Sequence, residues 1–190
     1  MSHDGPLEDP AHPTQPGPPA PRAALIIPSL IGPLALTTRD GGSLATIEFL
    51  NDGDPGSELG WHGKGFPPAV LQDTADQLAD YFAGERQEFD LRLAPRGTDF
   101  HRRVWAELQL IPWGETITYG QLAVRLGLPV SAARAVGSAN GANPIPVVIP
   151  CHRVIGADGT LTGYAGGLPR KAALLGLEGI AHELDQLPLF

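Results

Sequence analysis

Residues 118–140 read TYGQLAVRLGLPVSAARAVGSAN, and their spacing sets the architecture of the second half of the chain. Thr118 is a good helix N-cap, Leu122, Ala123 and Leu126 fall on one helical face, and Gly127 is a helix stop. Leu128-Pro129-Val130 makes a short turn, after which Ser131 caps a second helix running from Ala132 to Asn140. Two helices around so short a turn form a helix-turn-helix. The second helix puts Ala132, Ala135, Val136 and Ala139 on one apolar stripe. Its opposite face carries Arg134, Gly137, Ser138 and, just past the end, Gly141. A solvated face normally carries Lys, Glu or Gln. Residues this small let the backbone approach another surface closely, either a second protein helix or a narrow DNA groove. The helix by itself leaves both readings open.

Upstream, Thr98 caps a helix whose inward residues are Phe100, Val104, Leu108 and Ile111, stopped by Pro112-Trp113-Gly114. Earlier still the texture changes. Leu34–Thr38 and Leu44–Leu50 are β-type runs joined across Arg39-Asp40-Gly41-Gly42, a turn sequence. Residues 51–64 read as a loop. Pro67-Pro68 opens a helix to about Ala83 with Val70, Leu71, Ala75, Leu78 and Phe82 inward, and Phe89–Leu93 reads as a further strand before Pro95. The fold class is therefore α+β. Residues 23–97 form a small N-terminal α/β domain of short antiparallel sheet plus helix, and residues 98–180 a mostly helical domain with the helix-turn-helix.

Residues 1–22 hold seven prolines and almost no large apolar side chains. They read as a disordered tail, because they cannot bury enough surface to offset ordering entropy. Residues 181–190 read as a C-terminal tail. No basic n-region followed by an apolar run precedes the first strand, so neither a secretory signal nor a membrane span is expected. A single cysteine excludes an internal disulfide and a multi-cysteine metal site, and suits a reducing cytoplasm. The net charge of -8 argues at first against nucleic acid. Residues 98–180, however, carry 7 Lys and Arg against 5 Asp and Glu, so the acidic excess lies in the first half and the second half can meet phosphate.

The run Asn143-Pro144-Ile145-Pro146-Val147-Val148-Ile149-Pro150 is apolar, stiffened by three prolines, and delivers Cys151-His152-Arg153-Val154. The thiolate is the nucleophilic form of cysteine, so Cys151 needs a base or a positive neighbour, and His152 is placed to supply it. Side chains adjacent in an extended chain point to opposite sides, so a bend or a bridging water must bring the two together. Glu178, at the end of a helix beginning near Leu168, is one of few acids available to orient the imidazole. A bare Cys-His pair is weak evidence, because buried cysteines are usually inert core residues. A cysteine hydrolase, and a helix-turn-helix DNA binder with an inert cysteine, both remain open on these residues alone.

Pro150-Cys151-His152-Arg153-Val154 resembles the active-site signature of the O6-alkylguanine-DNA alkyltransferases. The resemblance runs from Phe100 to Gly179, through Ile111–Thr116, Tyr119–Ala123, Ala132–Gly137, Asn143-Pro144 and Gly163–Leu168 to Lys171 and Glu178. Residues 1–97 resemble the family only in general layout. The resemblance implies a network of Cys151, a water, His152 and Glu178, and transfer of an alkyl group from O6-alkylguanine, with O4-alkylthymine as a second substrate, to Cys151. It implies double-stranded DNA as partner, met through the minor groove by Ala132, Arg134, Gly137, Ser138 and Gly141, with Arg134 filling the gap left by a flipped nucleotide. Tyr119 then crowds the neighbouring phosphate and reaches guanine N3. Tyr164 and Gly163–Gly167, with Ala165, Gly166, Lys171 and the carbonyls of Cys151 and Val154, form the base pocket, and Asn143 is the hinge behind it. A monomer without metal or organic cofactor is implied. Ala165 departs from the pattern, since many relatives carry Ser there.

Overall fold

The computed structural model describes residues 23–51 and 57–180. The tail expectations for 1–22 and 181–190 lie outside the described residues, as does the middle of the predicted 51–64 loop. Four short strands, β1 (Ala24–Ile27), β2 (Leu34–Thr38), β3 (Leu44–Phe49) and β4 (Gly60–His62), form an antiparallel sheet in the order β3-β2-β1-β4. β4 was not legible in the sequence because its three residues sit in a Gly-rich stretch. The β2–β3 turn is held by Asp40, whose Oδ1 accepts the Gly42 and Ser43 N–H groups at 2.9 and 2.8 Å.

Alternation divides the sheet's residues between its two faces. Leu25, Leu34, Leu36 and Ile47 face the main core, while Ala24, Ile26 and Ala35 form a small second cluster. Helix α1 (Ala69–Phe82) covers the main face with Val70, Leu71, Thr74, Leu78 and Tyr81. The predicted stripe is corrected at two places. Ala75 and Phe82 are only half-buried, and Thr74 and Tyr81 are inside instead. Both are polar residues that bring their own hydrogen bond: the Thr74 hydroxyl donates to Val70 O at 2.6 Å, and Tyr81 is taken up below. The predicted strand over Phe89–Leu93 reduces to one bridge between Leu44 and Leu93, flanked by Leu44 N–H to Arg92 O and Ala94 N–H to Leu44 O, both 2.8 Å. That bridge, and Ile47 N–H donating to Pro144 O at 2.9 Å, satisfy groups on the outer edge of β3 that would otherwise template aggregation.

The helical half contains α2 (Asp99–Leu108), α3 (Tyr119–Arg125), α4 (Ala133–Gly141) and α5 (Leu168–Leu177), with a two-strand parallel pair, β5 (Ile117–Thr118) and β6 (Val154–Ile155). Thr98 caps α2 by accepting from His101 N–H at 3.2 Å. Trp105, absent from the predicted stripe, is fully buried and donates Nε1–H to Ala139 O at 2.8 Å, which ties α2 to α4. Thr118 forms a full capping box with Gln121 at the start of α3, and Gly127 ends that helix at φ 74. Ser131 does not cap α4. It lies inside a single 3₁₀ turn, Val130–Ala132, and α4 starts at Ala133 with no side-chain cap. Ala135 is exposed rather than inward; Val136, Ala139 and Asn140 form the buried face. Leu25, Leu71, Trp105, Val136, Cys151 and Leu174 belong to one cluster, so sheet and helices share a core. Arg170 of α5 ties the halves from outside, donating to Ile31 O at 2.7 Å and Leu50 O at 2.8 Å.

Because the Thr118 hydroxyl supplies one half of the capping box that starts α3, Thr118→Ala should cost about 0.5–2 kcal/mol. Urea unfolding checks this, and an unchanged midpoint would show that α3 is held by packing alone.

Candidate active site

The chain reaches Cys151 through a closed loop rather than an extended run. Ile149 N–H donates back to Ile145 O at 2.9 Å. The Asn143 side chain braces this loop from inside: Nδ2–H donates to Ile149 O at 2.8 Å and Oδ1 accepts Ile145 N–H at 3.0 Å. Val147 sits at φ 73, a left-handed conformation that a β-branched residue occupies only under strain imposed by its surroundings. Pro150, at φ -81 and ψ 63, makes an inverse γ-turn closed by Cys151 N–H to Ile149 O at 2.8 Å. Residues Cys151–Arg153 then form one 3₁₀ turn. The chain therefore bends at Cys151-His152, one of the two routes left open from sequence, although the turn does not bring the thiol into hydrogen-bonding contact with the imidazole.

Cys151 is buried. Burial pushes its thiol up to about 11, although the Asn143 side chain and the Lys171 ammonium pull the other way. His152 is fully buried, and burial holds its pKa below the usual imidazole value against the pull of Glu178. The resting pair is therefore a neutral thiol beside a neutral imidazole. His152 Nε2 lies 2.9 Å from Glu178 Oε1. A carboxylate only accepts, so Nε2 carries the proton and donates it. Nδ1 is then the basic nitrogen, and it is buried with no partner among the described residues.

Glu178 is surrounded by donors. Its Oε1 also accepts from the Tyr81 hydroxyl at 2.6 Å and from Arg153 at 2.8 Å, and Oε2 accepts from Arg153 Nε at 2.9 Å. Burial raises its pKa, but the hydrogen bonds and charges of His152 and Arg153 outweigh burial and hold it down at about 2. The third arm of Arg153 donates to Ile111 O at 2.6 Å. Sequence reasoning found Glu178 but gave Arg153 no partner and missed Tyr81. The available signal was a tyrosine next to an apolar helix stripe, whose hydroxyl must find an acceptor if buried.

An open cavity of about 660 Å³ lies beside this cluster, lined by Tyr119, Ala133, Arg134, Gly137, Gly141, Thr162, Gly163, Tyr164 and Ala165. Three elements named from sequence converge there: the start of α3, the Arg134/Gly137/Gly141 face of α4, and the loop of Gly163, Tyr164 and Ala165. Ala132 and Ser138 are not in its wall; Ala132 ends the 3₁₀ turn half-buried, and Ser138 is exposed. The Tyr119 hydroxyl donates to Thr162 O at 3.1 Å, and burial holds its pKa above that of a free phenol. Lys171, Val154 and Gly166 lie behind the wall. Lys171 is fully buried and donates Nζ–H to Val154 O at 2.6 Å and Thr162 O at 2.8 Å, with burial lowering its pKa to about 8. It braces the loop, and it already occupies one lone pair of the Val154 carbonyl. A Cβ on Gly166 would lie 2.8 Å from the Phe49 ring, so glycine is required for this close approach. Phe49 in turn packs on Tyr164 with ring centroids 5.7 Å apart. Asn140, unremarked in the sequence, donates Nδ2–H to the Cys151 carbonyl at 3.3 Å and so joins α4 to the Cys151 turn.

Comparison with known proteins places both halves. Residues 25–95 match the description "6-O-methylguanine DNA methyltransferase, ribonuclease-like domain", and residues 99–180 match "6-O-methylguanine DNA methyltransferase, DNA binding domain". A methylated-DNA–protein-cysteine methyltransferase of Mycolicibacterium paratuberculosis is 49% identical over 164 residues, covering 86% of this chain and 96% of the relative. A protein of the same name from Mycobacterium tuberculosis is 51% identical over 152 residues, covering 80% and 89%. The crystal structure of Mycobacterium tuberculosis OGT in complex with DNA matches with a TM-score of 0.70 at 49% identity, covering 82% of this chain and 91% of that one.

The buried Glu178 carboxylate carries a stability signature. Its pKa is depressed in the folded state, so its contribution is complete above the unfolded value near 4.5 and is lost as pH falls toward about 2. Glu178→Gln also strands the Arg153 charge, and should destabilise at neutral pH by about 3–5 kcal/mol. Unfolding measured from pH 7 to pH 2.5 should show the gap between the two proteins narrowing below pH 4.5. A gap independent of pH would place the loss in packing instead.

Proposed function

We propose, from the premise that this chain belongs to the 6-O-methylguanine DNA methyltransferase family, that it repairs O6-alkylguanine in double-stranded DNA by moving the alkyl group onto Cys151, once per molecule. The observation that carries this reading is the buried His152–Glu178 pair adjoining the chain's single cysteine, with His152 Nδ1 left as an unpartnered base. In the reaction Nδ1 takes the thiol proton through one bridging water, while Glu178 stabilises the imidazolium. The thiolate attacks the alkyl carbon, an S–C bond forms, the C–O6 bond breaks, and the electron pair stays on guanine. The Tyr119 hydroxyl, which keeps its proton, donates toward N3 as charge develops. The proton taken by His152 ends on guanine, so Cys-SH and O6-alkylguanine become S-alkylcysteine and guanine.

The target atom is stacked inside the duplex, so the base must be extruded. The cavity beside Tyr119 is large enough for a purine, and Gly137 and Gly141 of α4 line it. With Ala132 and the exposed Ser138, which flank the cavity outside its wall, these small residues allow close approach to a minor groove. Arg134, exposed on the rim, fills the vacated stack. Asn143 acts as the hinge behind Cys151, and the loop of Gly163, Tyr164, Ala165 and Gly166, braced by Lys171, holds the base. The carbonyls of Cys151 and Val154 offer their remaining lone pairs to the guanine amino group. Ala165 offers a backbone N–H but no hydroxyl to O6. O4-alkylthymine, with the same alkyl–oxygen chemistry, is a second substrate. The protein acts as a monomer in a reducing cytoplasm and requires no cofactor.

Two experiments test this. Arg134→Ala should slow repair of duplex by about 10–100-fold, part of the cost of extruding a base, while sparing transfer from the free modified base; equal losses on both would contradict its role. With excess methylated duplex, product should plateau at about one equivalent, and the intact mass should rise by one methyl group on Cys151. An S-alkyl cysteine is a thioether, which neither water nor a thiol reductant cleaves. Continued linear turnover would overturn the transfer and favour a hydrolase.

A further inference from the structure

We propose that Tyr81, supplied by the sheet-bearing half of the chain, is a positioning residue for alkyl transfer: its hydroxyl fixes the Glu178 carboxylate and shares with His152 the oxygen that orients the imidazole. This role rests on the reading in the preceding subsection. Tyr81 is fully buried near the end of α1, 97 residues from Glu178 in sequence, and the two meet at 2.6 Å. The Tyr81 ring packs against Phe82, Phe89 and Trp113 at centroid distances of 5.4, 5.3 and 5.1 Å. A phenylalanine ring would fill that space equally well. A buried hydroxyl is costly unless bonded, and the Tyr81 hydroxyl spends its one proton on Glu178.

The geometry at the carboxylate gives that bond a consequence. Oε1 faces three donors, Tyr81 at 2.6 Å, Arg153 at 2.8 Å and His152 at 2.9 Å, whereas Oε2 takes one bond, from Arg153 at 2.9 Å. An sp² oxygen has two lone pairs, so three donors compete, and density drawn toward Tyr81 is withheld from His152. Tyr81 is a fixed donor, because burial and the Glu178 charge push its pKa far above the ordinary phenol value. The charged and titratable groups that act on this carboxylate and on His152 are Arg153 from the Cys151 turn, Lys171 from α5, Tyr81 from α1 and Tyr164 from the pocket loop. In this cluster His152 is the group that must change charge during transfer. The tyrosine therefore holds the acid in place and keeps the imidazole from being protonated before the base arrives.

The test is single-turnover transfer from methylated duplex at saturating DNA, as a function of pH. Tyr81→Phe should lower the rate constant about 3- to 10-fold, part of the worth of one hydrogen bond to a charged group, and leave the Kd for duplex unchanged. The acid-side midpoint of the rate should move to higher pH, because His152 becomes easier to protonate. Replacing Tyr81 with 3-fluorotyrosine keeps the packing and strengthens the donor, and should move the midpoint to lower pH. Phe82→Leu disturbs the same aromatic cluster but keeps the hydroxyl; it should lower Tm without moving the pH profile. Midpoints that stay fixed in both Tyr81 variants, or that move equally in Phe82→Leu, would reduce Tyr81 to packing. A wild type that transfers nothing overturns the proposed function and this role with it. A wild type that transfers once, beside a Tyr81→Phe protein of equal rate and pH profile, overturns this role alone.

Discussion

An ionised carboxylate buried in a protein of this size is an expensive object, and the arrangement around Glu178 is organised by that cost. Taking an isolated carboxylate out of water is unfavourable by several kcal/mol even after relaxation. Here the charge is matched by the Arg153 guanidinium through two hydrogen bonds and is further bonded to His152 and Tyr81. These partners come from three places in the chain: the Cys151 turn supplies His152 and Arg153, α5 ends in Glu178, and α1 supplies Tyr81. Satisfying one charge therefore assembles the turn that carries Cys151, the helix that braces the loop of Gly163 to Gly166, and the sheet-bearing half. The same contacts set the tautomer of His152 and leave Nδ1 as its basic atom.

The neutral resting state follows from the same burial. A thiol pushed up to about 11 and an imidazole held below its usual value do not ionise spontaneously at neutral pH. A permanently exposed thiolate would react with any electrophile, and burial as the neutral thiol keeps Cys151 from doing so. Cys151 lies close enough to Tyr119 and Tyr164 of the cavity wall for its charge to act on both hydroxyls. The cavity wall is itself supported from the other half of the chain, through Phe49 against Tyr164 and Gly166, and through Arg170 over the Phe49 ring at 5.2 Å. The sheet and α1 thus contribute to the site although no residue of theirs lines the cavity.

Much was legible without coordinates, because the relevant signals are local. Thr98 and Thr118 as caps, Gly127 as a stop and the Asp40 turn depend on hydrogen bonds within a few residues, and all four are present. The Ser131 cap failed because Pro129-Val130 begins a 3₁₀ turn that carries Ser131 past the cap position. The Ala135 stripe position failed because the small residues of α4 give almost no hydrophobic contrast from which to set a helical phase. Alanine and glycine are nearly equivalent on either face, so only packing against Trp105 and the Cys151 turn decides which way the helix rolls.

From the sequence alone Cys151, His152 and Glu178 stood out as candidate nucleophile, imidazole and acid, and the order of the helices was legible because caps, stops and periodicity are local, whereas β4 was not. Only the tertiary structure decided what the acid's other oxygen bonds do. Tyr81 and Glu178 are 97 residues apart, and no periodicity or capping rule reaches that far. Their meeting depends on how α1 is laid across the sheet and on where α5 ends. A hydrogen bond needs its donor and acceptor placed to within a few tenths of an ångström, and over that separation only the packed core supplies such placement.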